Sequence, residues 1–145
     1  MHKGENKVKR QFFTLGMLTI LTGAGLLAAD LRADIPFAFS IGQATMPAGV
    51  YNIAFHNSVL SVRAVDGHNG AMALTVPTLE IPKEHRNMVG GGSLIFQKYG
   101  NESFLAGFWL NGADSGHTLP AGKRQKELAR QIKVGEAAAV AMNRK

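Results

Sequence analysis

The sequence contains no cysteine. Disulfides, thiolate metal sites, a cysteine nucleophile and a lipidated N-terminal cysteine are therefore excluded. Export is not excluded, because a domain of this size can be held by its core alone. Charge is also scarce: 18% of the 145 residues are charged against 46% hydrophobic, the balance of one folded domain and not of a disordered chain. The formal charge of +6 owes nothing to the middle of the chain, where residues 30–119 hold 5 basic and 7 acidic groups. Residues 120–145 hold 7 basic and 2 acidic groups, and at the start Lys3, Lys7, Lys9 and Arg10 face only Glu5. A slightly negative body lacks the basic face that nucleic-acid binding needs, so no nucleic-acid partner is expected. There are only 5 prolines but 17 glycines, which points to many turns between short elements.

What is present begins with an address. MHKGENKVKR is a basic stretch, the run from Gln11 to Ala29 carries no charge, and small residues follow at Ala28, Ala29 and Ala33. This is the three-part layout of a secretory signal peptide. Gly23 and Gly25 suit a helix that breaks before cleavage, after Ala29 or Ala33, with Leu27 or Leu31 three residues before the cut. The alternative is an uncleaved anchor over Phe12 to Ala29, just short of the ~20 apolar residues a span needs. Both readings put the rest of the chain outside the cytoplasm, in the periplasm or secreted. The expected organisation is a signal helix over 1–29 (or to 33), an antiparallel β domain over 30–119, and a basic helix with a tail over 120–145.

Alternation carries the body. Ile35, Phe37, Phe39 and Ile41 share one face of a first strand, with Pro36 tolerated near its start if that strand is an edge. Met46-Pro47-Ala48-Gly49 is a turn, and Tyr51, Ile53 and Phe55 alternate as a second strand. Leu60, Val62 and Ala64 mark a third. Asp66-Gly67-His68-Asn69-Gly70 is a hairpin loop, and Met72, Leu74 and Val76 read as the inward set of a fourth strand. Pro77 to Gly92 is a longer connection. Ser93 to Tyr99 reads as a fifth strand and Ser103 to Asn111 as a sixth. In the sixth, Phe104, Ala106, Phe108 and Leu110 lie on one side, Leu105 and Trp109 on the other, so both faces are covered. Short links favour a small antiparallel meander of about six to seven strands, a barrel or a sandwich. From Pro120 the period changes: Ala121, Gln125, Leu128 and Ile132 form a helical stripe bounded by Gly135, and Glu127 can pair with Arg130. Glu136 to Met142 extends that helix or frays.

IPFAFSIG, MPAGVYNI, the DG turn, LIFQKYG, a strand with Trp109 and a closing KELA together resemble a group of small exported β-rich proteins of soil bacteria. The resemblance runs from about Ile35 to Ala129. It implies a β-rich fold and export, and it supplies no site.

No arrangement of residues announces chemistry. His56, His68, His85 and His117 sit in expected turns or loops and, with Asp66, Asp114 or Glu84, could hold a metal only if loops converge, since no HxH or HExxH spacing exists. A loop-end metal hydrolase is therefore the enzymatic alternative, and neither a metal nor a cofactor is expected. Gly116 to Lys123 imitates a phosphate loop but has the wrong spacing, Arg124 where Ser or Thr belongs, and no βαβ context. Gly90-Gly91-Gly92 lacks a dinucleotide-binding context. No GxSxG elbow occurs, Ser58, Ser61, Ser93, Ser103 and Ser115 have no evident base, and Glu80 with Glu84 is a carboxylate pair of unknown separation. Tyr51, Tyr99 and Trp109 are the candidate ligand-binding aromatics, against the commoner role of strand aromatics as core. Lys123, Arg124, Lys126, Arg130 and Lys133 form a basic surface for anionic lipid, lipopolysaccharide or an acidic partner, against the plainer reading of a solvated helix face. The expectation is a non-enzymatic binding or structural β-domain of the cell envelope. Its partner would be an envelope component or another protein, with membrane contact only through an uncleaved N-terminal segment.

Overall fold

The computed structural model describes residues 31–79, 91–113, 115–132 and 135–144. The expected signal segment, Glu80, Glu84, His85, Asp114 and Lys133 lie outside them. In β1 (Leu31–Ile35) Leu31, Ala33 and Ile35 are buried while Arg32 and Asp34 are exposed. The strand expected from Ile35 to Ile41 is thus two strands, β1 and β2 (Phe39–Ile41). β1 is central in the sheet, and Pro36, with no N–H to give a ladder, follows its last residue. The chain continues through β3 (Ala44–Met46), β4 (Gly49–His56), β5 (Val59–Ala64), β6 (Gly70–Leu74), β7 (Val76–Thr78), β8 (Gly92–Tyr99), β9 (Glu102–Leu110), β10 (Gly116–Thr118), α1 (Lys123–Gln131) and β11 (Glu136–Arg144).

All the described strands join one sheet in the order β3-β2-β9-β8-β11-β1-β4-β5-β6, and β10 bridges β9 to β7. Because β7 follows β6 after the single residue Thr75, the sheet curls into a nearly closed barrel. The fold is mainly β with one helix near the C-terminal end, as the alternation implies, but with 11 strands where about six to seven are expected. The pairing is antiparallel except for β2 against β9, which is parallel at Ser40↔Phe104. Gly116–Thr118, expected as part of a turn leading into the helix, is instead a strand of the closing seam.

The largest departure is β11. Its alanines have high helix propensity, yet Glu136–Met142 pairs along β8 from Lys98 to Gly92, and Met142 to Arg144 pairs with β1. Met142 is fully buried. Tertiary burial overrides local preference here, because β1 and β8 would otherwise expose unpaired edges beside the core.

β9 carries a bulge. Ile95 faces Gly107 and Phe96 faces Leu105, which leaves Ala106 as the extra residue. Its carbonyl accepts the Leu119 N–H at 2.9 Å. The bulge breaks the expected alternation: Leu105 and Phe108 belong to the barrel core, whereas Phe104 and Trp109 are buried outside that cluster. Both faces of β9 are indeed covered, but Phe104 and Phe108 do not share one.

Side chains fill the interior, as a small barrel requires. Phe39 packs edge-on against Tyr51 and Phe96, with ring centroids 5.2 and 5.4 Å apart. Helix α1 buries only Leu128. Its Arg124 forms a bidentate pair with Glu102 at the β8–β9 turn (2.9 and 3.3 Å), and Glu127 pairs back to Arg124 at 3.8 Å and not forward to Arg130.

Candidate binding face

The outer surface of β4, β5 and β6 is where the structure departs from the habits of a soluble sheet. The hairpin β4–β5 turns through Asn57 and Ser58, both at positive φ (49° and 63°), the pattern of a two-residue primed turn. The Ser58 carbonyl then accepts the N–H and the hydroxyl of Thr75 at 2.8 and 3.1 Å, which ties this turn to the β6–β7 junction. The β5–β6 register places Val59 opposite Leu74, Leu60 opposite Ala73, Ser61 opposite Met72 and Val62 opposite Ala71. Leu60 and Val62 are buried in the core, so Ala71 and Ala73 face inward with them. Met72, Leu74 and Val76, expected as the inward set, are the outward set.

They are exposed by 71%, 70% and 55%, and Leu79 by 70%. A shallow trough of about 300 Å³ runs beside them, lined by Ala54, His56, Asn57, Val59, Ser61 and Met72. Arg32, Asn52 and Arg63, cross-strand neighbours in turn, bound this face on one side. Four large apolar side chains on consecutive short strands form a contiguous patch, which monomeric soluble proteins rarely leave uncovered.

The residues singled out by sequence do not converge elsewhere. Tyr51 is buried in the core, and its hydroxyl donates to the Pro47 carbonyl across the β3–β4 turn. Burial and, secondarily, the charge of Asp66 raise its pKa. Tyr99 is half-buried and tilts on Phe104. Trp109 is buried opposite Ser93, at the other end of the β8–β9 ladder from Tyr99, so the three aromatics line no common pocket. Lys123, Arg124, Lys126 and Arg130 are exposed on α1, and Arg124 is partly neutralised by Glu102 and Glu127.

Among the histidines, His56 ends β4, and the backbone N–H of His68 donates to Asp66 Oδ1 at 2.9 Å inside the hairpin loop. His117 lies in β10, stacked on Phe108 (4.9 Å, 14°) and tilted on Phe55 (4.4 Å), with Nδ1 3.5 Å from Thr75 Oγ1. Burial lowers its pKa. It serves the closing seam, away from the other described histidines. Among the described residues no group of three or more His, Asp or Glu side chains stands close enough to hold a metal ion, and no helix is long and apolar enough to cross a membrane.

No protein-family model, no curated protein and no solved structure matches the chain. Functional argument therefore rests on the chain's own surface.

Proposed function

We propose that this protein is an exported β-barrel domain that acts in the cell envelope by binding and not by catalysis, through the outer apolar face of β5, β6 and β7. The observation that carries this reading is the exposure of Met72, Leu74, Val76 and Leu79 together on one side of a barrel whose interior is already packed. Such surface is retained where something covers it. Export is supported by the basic stretch and uncharged run of residues 1–29, cleaved after Ala29 or Ala33. The likeness of IPFAFSIG, MPAGVYNI and LIFQKYG to small exported β-rich bacterial proteins belongs to the same proposal.

The test is expression of the full chain in a Gram-negative host, with intact mass and cell fractionation. The expected species begins at Asp30 or Asp34, lies outside the cytoplasm and stays with the envelope. The variant Met72→Lys/Leu74→Lys folds with an unchanged circular dichroism spectrum and moves to the free periplasmic pool. A full-length cytoplasmic product, or a variant that fractionates like the wild type, overturns the proposal.

A further inference from the structure

We infer that the occupant of this face is a second copy of the chain, joined edge to edge through β6 about a two-fold axis at Met72; the inference rests on the binding-face reading above. The ladder itself shows which backbone groups are open. The Ala64 N–H donates to the Asn69 carbonyl at 2.7 Å and the Thr75 N–H to the Ser58 carbonyl at 2.8 Å. Hydrogen-bonded pairs recur at every second position of an antiparallel ladder. Ala71 and Ala73 therefore direct their N–H and C=O groups to β5, and Gly70, Met72 and Leu74 direct theirs away from it. On that side the sheet path ends: β2 approaches β6, but no ladder joins them. Every residue of β6 is exposed or half-buried.

The edge is also unguarded. Exposed edges are commonly blunted by lysine, proline, a bulge or an inward charge. Gly70–Leu74 has no charge and no proline, and its ladder with β5 runs without a register shift. A two-fold through Met72 makes this edge its own complement. Met72 meets Met72 of the second copy, and Leu74 lies against Gly70, whose missing side chain leaves room. A Cβ built at Gly70 meets nothing closer than 3.5 Å. About six backbone bonds would form, and Met72 and Leu74 of both copies would make one apolar strip on a continuous sheet. The nearest charge on this face is Arg63, opposite Gly70. The axis sends the two Arg63 side chains to opposite ends of the strip, so no like charges face each other, as an isologous contact needs.

Sedimentation velocity over a concentration series of the purified protein tests this. The expected result is a species of twice the chain mass, lost to single-chain mass in Met72→Lys, which sets like charges directly opposite at the axis. Leu74→Lys gives the same loss and serves if the first variant fails to fold. In a chain otherwise free of cysteine, Met72→Cys is captured as a covalent dimer by a short bis-maleimide, and His68→Cys in the hairpin loop is not. A wild type of single-chain mass at every concentration overturns the inference, as does a dimer that survives both lysine variants. If the wild type is monomeric while the lysine pair still leaves the envelope, the second copy is wrong and the binding face stands, occupied by a different envelope molecule. If neither changes, both readings fall.

Discussion

Replacing Met142 by alanine separates two incompatible views of the C-terminal segment. In a frayed tail the change would be silent. In the structure Met142 is fully buried, paired with Ala33 on β1 and with Gly92 on β8. Truncating a buried methionine removes its transfer free energy and leaves a cavity that the flanking strands only partly close, a loss of about 3 kcal/mol. That is a large share of the ~5–15 kcal/mol that holds a domain together. With a urea dependence near ~1.5 kcal/mol per molar, the unfolding midpoint falls by ~2 M. Ala137→Ser, at an exposed position of the same strand, changes stability by less than ~0.5 kcal/mol. Equilibrium urea unfolding followed by Trp109 fluorescence reads both. A Met142→Ala curve superimposable on the wild type would refute the placement of β11 between β1 and β8, and with it the closure of the barrel.

At Gly107 a Cβ would stand 2.6 Å from the His117 carbonyl oxygen, so Gly107→Val should force β10 off β9 and lower stability by roughly 2–4 kcal/mol in a thermal melt. The burial that lowers the His117 pKa means that the unfolded chain binds a proton more readily than the folded one. Its contribution is therefore fully present above the ordinary value of 6.5 and is lost as pH falls below it. His117→Phe should flatten that part of the dependence of melting temperature between about pH 5 and about pH 8, and an unchanged slope would exclude the residue. The Arg124–Glu102 pair is exposed on both sides, so Arg124→Ala should cost under ~1 kcal/mol, whereas Leu128→Ala, at the only buried position of α1, should cost about 2–3 kcal/mol by urea titration.

The β pattern was legible because alternation is a direct imprint of the pleat. Tyr51 and Ile53, Leu60 and Val62, and Leu94 and Phe96 all face the core as their spacing implies. The hairpin loops were legible from residues that accept positive φ, such as Gly67 at 82°. Alternation has no intrinsic phase, however, and a shift of one residue exchanges core and solvent. In β6 the larger residues point outward, and only the loop length, which sets Leu60 against Ala73, assigns the faces. The bulge at Ala106 is invisible in β9 because apolar residues flank it on both sides. β11 was unreadable for another reason: alanine favours helix locally, and the demand for a strand comes from β1 and β8, which are distant in sequence. The candidate site suffered most, since Tyr51, Tyr99 and Trp109 drew notice as aromatics, while the exposed surface is made of Met72, Leu74, Val76 and Leu79.

The most direct test of the central claim is methionine-oxidation footprinting of the protein in intact cells and again after purification at high dilution. Met46 and Met142 are buried and should stay unreacted in both, while Met72 is 71% exposed. A face that is covered in the envelope predicts a Met72 shielded in cells and readily oxidised once diluted. Equal and rapid oxidation of Met72 in both states would contradict it.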